Sequence, residues 1–219
     1  MRRTGVPAGM TPGGRQPRFP GFDVLDQVHM WDPVTTGVVL ARLGPPPPIR
    51  FFTPDEEAIA RPLLDLLLDQ CEEPKVPVLE MIDSRLAENS TDGWRYDDLP
   101  EDGQAWHDTL AALDEDAHDA HRTGFADCRD EARTTLIQNV QDLGSKQWHG
   151  LPADRVWSLW TRYACTAFYS HPWAWNEIGF SGPSYPRGYK NLGVGRREPW
   201  EVRDREDLDP VRNPSGGGR

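Results

Sequence analysis

Three side chains share a spacing suited to metal binding. Asp114, His118 and His121 stand at i, i+4 and i+7 of a predicted helix and so fall on one face. Two neutral imidazoles and a carboxylate form a reasonable zinc or iron ligand set. The same face is continuous with an apolar stripe on an acidic helix, and reads more simply as a polar flank with an Asp114–His118 pair. His171 offers a second kind of chemistry. At a helix end its imidazolium would be favoured by the helix dipole. With no nucleophile or carboxylate pair nearby in sequence, the preferred role is structural: donation to a backbone carbonyl that fixes a turn.

Other chemistries leave no trace. Gly193-Val-Gly195 follows nothing strand-like, so no dinucleotide fingerprint is present, and there is no phosphate loop. The chain lacks a Cys-x-x-Cys-His haem motif, a cysteine run for an iron–sulfur cluster and a Gly-x-Ser-x-Gly elbow. Any redox cofactor is expected in another chain.

The segment from Tyr169 to Tyr189 is the most distinctive. It sets Trp173, Trp175, Phe180, Tyr185 and Tyr189 among prolines and glycines with few charges. Such a composition cannot continue a helix and is too apolar for a solvated tail. Trp, Tyr and Arg are common interface anchors. Trp173 and Trp175 are not expected to face the same way; one belongs in a core and the other at an interface. Arg187, between Pro186 and Gly188, is placed to pair with Glu177 or with a carboxylate of a partner. The nine tryptophans suggest a sugar-stacking platform as a further reading, one that helical bodies rarely host.

Tyr169, His171, Pro172, Trp175, Ile178, Gly179, Phe180, Gly182, Pro183, Pro186, Arg187, Gly188 and Tyr189 together resemble the C-terminal signature of the gluconate 2-dehydrogenase subunit 3 family. The resemblance extends more weakly over a helical body from about Phe51. It implies a small, non-catalytic, cofactor-free subunit that binds and stabilises a flavin-dependent dehydrogenase of the glucose–methanol–choline type. That partner would carry FAD and oxidise sugars, polyols or sugar acids, and a cytochrome subunit could complete the complex. Trp173, Trp175, Ile178, Phe180, Tyr185, Arg187 and Tyr189 are then the expected partner interface. His171, Pro172, Gly179, Gly182, Pro183, Pro186 and Gly188 are the expected structural positions of the motif. The alternatives are an export escort for such a flavoprotein and a free-standing metal-binding protein using Asp114, His118 and His121.

Composition narrows the partners. The chain has 219 residues and a net charge of −11, against general nucleic-acid binding and against an anionic membrane surface. Residues 1–50 hold six arginines and three acids, so the excess of acid lies in the body. No apolar run approaches the roughly 20 residues of a membrane span. Arg2-Arg3 suggests a twin-arginine signal, but Gly5-Val-Pro-Ala-Gly-Met-Thr-Pro-Gly-Gly14 supplies no apolar region behind it. Members of the family often carry such a signal. The expectation here is the cytoplasm, with a periplasmic or extracellular site if a partner directs export. Cys71, Cys128 and Cys165 are an odd number without a Cys-x-x-Cys, and are read as reduced, with one available to bridge to a partner.

The elements that must position these residues are helical. The expected fold is all-α, an irregular bundle of about five helices with long irregular extensions at both ends. Residues 1–22 are expected to be a disordered arm. Residues 23–50 form an apolar, proline-rich arm packing on the body or partner; 51–189 form the helical domain; 190–219 form a charged, partly disordered tail in which Trp200 and Val202 add a contact. Thr53-Pro-Asp-Glu56 predicts a capped start, with the helix running to about Gln70 and kinked or broken at Pro62. Further helices are predicted at about 77–89, 101–122, 127–144 and 152–170, the last stopped by Pro172.

Overall fold

The computed structural model describes residues 9–14, 18–191 and 193–203, and resolves into two compact units. One spans Pro45–Ser170; the other joins the described residues up to Gly44 with those from His171 onward.

The 45–170 unit holds helices α2 (Pro54–Leu67), α3 (Val78–Ala87), α4 (Asp102–His121), α5 (Asp130–Asp142) and α6 (Ala153–Phe168). The five helices expected of the body are all present. Thr53 starts α2: its hydroxyl accepts the Glu56 N–H at 3.3 Å, and the Glu56 carboxylate accepts the Thr53 N–H at 2.9 Å. Of the kink or break expected at Pro62, the break does not occur: α2 continues through it. An internal proline costs about 3 kcal/mol. Ile59, Ala60, Leu63 and Leu64 on either side of it are buried, and a fully buried aliphatic side chain contributes roughly 1.5–3 kcal/mol, so packing outweighs the local penalty. The helix stops at Leu67, short of Gln70. Gln70 turns inward instead, donating to the Val76 carbonyl at 3.2 Å and accepting the Val76 N–H at 2.8 Å, which closes the 70–76 loop.

Apolar spacing puts Trp106, Leu110 and Leu113 of α4 and Val156, Leu159, Trp160 and Tyr163 of α6 into one core. Trp160 Nε1 donates to Thr109 Oγ1 at 3.1 Å, and that hydroxyl donates to the Ala105 carbonyl at 2.7 Å, while the buried Trp106 Nε1 has no hydrogen-bond partner. Asp83 of α3, fully buried, accepts the N–H groups of Arg50 and Phe51 at 2.8 Å and of Phe52 at 3.0 Å, fixing the chain as it enters α2. The helix predicted from Asp127 begins at Asp130. Phe125–Asp127 form a 3₁₀ turn in its place, because the buried Phe125 gives its N–H to Asp114 Oδ1 at 2.7 Å. A short antiparallel pair, β1 (Gln147–Trp148) with β2 (Leu151–Pro152), leads into α6.

The other unit contains two helices that the sequence reading missed, α1 (Pro33–Ala41) and α7 (Pro172–Ile178), with a 3₁₀ segment at Val24–Met30. Asp32 caps α1, accepting the N–H groups of Val34 at 2.9 Å and Thr35 at 3.2 Å ahead of Pro33. Val24, Trp31, Val39 and Trp175 form the core, with Phe22, Leu25 and Val28 against it. The expected 23–50 arm is thus divided: its portion to Gly44 packs with the C-terminal segment in one unit. The expected disorder of residues 1–22 does not hold at residues 9–13, where Gly9, Thr11, Pro12 and Gly13 are buried. Asn176 Nδ2 donates to the Met10 carbonyl at 2.9 Å, and a Cβ on Gly9 would lie 2.2 Å from that nitrogen. The disorder expected at residues 1–8, 15–17 and 204–219 lies outside the described residues. Among those described, no helix is long and apolar enough to cross a membrane.

Candidate partner interface

Pro172 does two things. It ends α6, since the residue before proline leaves the helical region, and it is the first residue of α7. His171 is the N-cap of α7. Its Nδ1 accepts the Trp173 N–H at 3.2 Å, and its Nε2 donates to the Arg42 carbonyl at 2.9 Å. These two bonds fix the neutral Nε2–H tautomer. Burial pushes its pKa down to about 4, and the Arg42 charge adds to the depression. The protonated helix-end histidine considered from sequence is therefore replaced by the structural one.

From α7 onward the chain is held by side chain to backbone bonds. Asn176 Oδ1 accepts the Val24 N–H at 2.8 Å, in a residue only 2 % exposed. Gly179 caps α7 in the left-handed region at φ 72°, and a Cβ there would meet Val202 Cγ2 at 2.6 Å. Gly182, at φ 77°, lies under Trp31; a Cβ would stand 2.4 Å from Cζ2. Pro183 is half-buried, the Tyr185–Pro186 peptide is cis, and the Gly188 N–H bonds to the Ser184 carbonyl at 2.7 Å.

Arg187 braces this loop from within. Its Nη2 donates to the Ser181 carbonyl at 2.6 Å, and its guanidinium lies 4.7 Å from the Trp200 ring centroid. Partial burial lowers its pKa, while Tyr189 and Glu201 oppose that shift. Ser181 Oγ donates to the Trp200 carbonyl at 2.9 Å, and the buried Glu198 accepts the N–H groups of Lys190 and Asn191. Trp200 and Val202 thus make the contacts expected of the tail.

The seven expected interface residues separate into two sets. Trp175 is 5 % exposed and stacks edge-on against Phe180 at 5.4 Å, so it is the core member of the tryptophan pair. Trp173 is half-buried beside His171. Ile178, Phe180, Tyr185 and Tyr189 present large apolar surfaces, with Tyr185 69 % exposed. The ability of this arrangement is mechanical: it displays aromatic groups on a backbone with little freedom, the condition for anchoring a partner at low entropic cost.

The metal-ligand candidates lie in the 45–170 unit. Asp114 Oδ2 stands 3.5 Å from His118 Nε2, with its other oxygen holding Phe125. Among the described residues no group of three or more His, Cys, Asp or Glu is arranged to hold a metal ion. All three cysteines are unpaired, Cys128 buried and the other two exposed.

The family model described as gluconate 2-dehydrogenase subunit 3 matches residues 54–182, more than half of the chain. Comparison with curated proteins and with solved structures gave no match. The matched span takes in α2 to α6, then α7 and the loop to Gly182.

Proposed function

The chain belongs to the gluconate 2-dehydrogenase subunit 3 family, and from that premise we propose that it is a non-catalytic small subunit that binds and stabilises a flavin-dependent dehydrogenase. The dehydrogenase is of the glucose–methanol–choline type, carries the FAD, and acts on sugars, polyols or sugar acids. One observation carries the reading: Ile178, Phe180, Tyr185 and Tyr189 stand exposed on a segment whose backbone is fixed by His171, Asn176 and Arg187. Exposed apolar surface of this kind favours association and is a hazard when uncovered. Burial at an obligate interface above roughly 2,000 Å² removes the hazard. A subunit that binds only the folded enzyme also stabilises it by mass action.

Co-expression with the flavin-dependent dehydrogenase of the same genome tests this. Co-elution on size exclusion with flavin absorbance, and poorer solubility of either chain alone, is the expected result. A colourless monomer that ignores the flavoprotein overturns the pairing.

A further inference from the structure

Trp94 is a large aromatic side chain left at the surface. It is 51 % exposed, in a loop between α3 and α4, and it borders a cavity of about 350 Å³ also lined by Thr91, Arg95, Glu101 and Asp102. Ligand pockets begin near this size. The Trp94 ring meets a cation and a second aromatic ring. Arg162 lies 5.0 Å from its ring centroid and Tyr96 meets it edge-on at 5.4 Å.

The wall is rigid. Arg162 bonds to Asp92 and to Asp102 Oδ2, the latter at 3.4 Å, and the Tyr163 hydroxyl donates to the same Asp102 oxygen at 2.6 Å. Asp102 is 5 % exposed, so a carboxylate is fixed at the cavity edge. Arg95, paired with Glu101 at 3.2 Å, supplies the cation among the lining residues. One arginine and two carboxylates leave the lining without a positive excess.

We propose that this cavity binds a neutral monosaccharide. A pyranose has a C–H face that packs on an indole and a rim of hydroxyls that both donate and accept. Carboxylate acceptors, guanidinium donors and an exposed indole match those two faces together. An apolar ligand would cover the charged pairs of the lining without offering them hydrogen bonds, and an anionic sugar acid would face Glu101 and Asp102. The site lies wholly in the 45–170 unit, away in sequence from the 171–189 segment, and does not depend on the partner assignment.

Saturation-transfer NMR on the full chain at pH 7, with glucose, galactose and mannose as probes and gluconate as the anionic control, tests the site. At least one neutral sugar is expected to bind saturably in the millimolar range, with gluconate at least tenfold weaker. Trp94→Ala is expected to weaken binding at least tenfold with an unchanged thermal melt, and Trp94→Phe to weaken it less. Absence of saturable binding by every neutral sugar, equal binding of gluconate, or full binding by the folded Trp94→Ala variant overturns the assignment. Association with the flavoprotein, measured separately, is expected to be the same in Trp94→Ala as in the wild type.

Discussion

The imidazole of His171 donates through Nε2 to the carbonyl of Arg42, 129 residues earlier, at 2.9 Å. The same ring caps α7 through Nδ1. One neutral side chain thereby joins the end of the N-terminal arm to the start of the C-terminal motif, and its protonation must break one of the two bonds.

This gives a pH dependence with a definite sign. The folded pKa of His171 is about 4, below the ordinary value of 6.5, because burial disfavours the charged ring. The unfolded chain takes up the proton first as pH falls. The contribution is therefore present above about 6.5 and is lost between 6.5 and 4, amounting to roughly 3 kcal/mol. Thermal melts from pH 7.5 to 4.5 are expected to show this loss in the wild type and a shallower slope in the less stable His171→Gln. Parallel slopes would assign the effect to other groups.

Asn176 is expected to be irreplaceable by its nearest isostere. Its oxygen accepts from Val24 and its nitrogen donates to Met10, with Asp23 Oδ1 at 3.5 Å. Asn176→Asp keeps the acceptor, loses the donor and sets two carboxylates together. A loss of about 2–3 kcal/mol is expected, read from denaturant midpoints and from faster amide exchange at Val24.

Asp83 plays the corresponding role in the other unit. Three backbone N–H groups converge on its buried carboxylate. Asp83→Asn turns one acceptor into a donor facing donors, and is expected to cost about 2–4 kcal/mol in chemical unfolding followed by circular dichroism.

Interface variants are expected to divide by burial. Tyr185→Ala should weaken association with the flavoprotein at least tenfold while leaving the melting temperature within a few degrees, since that side chain is 69 % exposed. Trp175→Ala removes a core side chain and should lower stability by about 3–5 kcal/mol, so any lost association follows from lost folding. Pull-down beside a thermal melt separates the two effects.

Much of this molecule was legible in the residues. Apolar spacing in 101–122 and 152–170 placed α4 and α6 because a one-sided stripe has one way to bury itself. Thr53-Pro54 marked the start of α2 because capping is local chemistry. The motif itself pointed to the family that the 54–182 match bears out. The starts of α1 and α7 carried the same kind of signal, in Asp32-Pro33 and His171-Pro172, but each helix is too short for periodicity to reveal it. Tertiary structure decided the rest. Packing carried α2 through Pro62, where local propensity predicts a break. The pairing of Met10, Val24 and Arg42 with Asn176 and His171 joins residues more than 120 positions apart, and no local pattern encodes such a contact. The same contacts decided which tryptophan is core: Trp175 is buried because Val24, Trp31 and Val39 reach it from the other end of the chain.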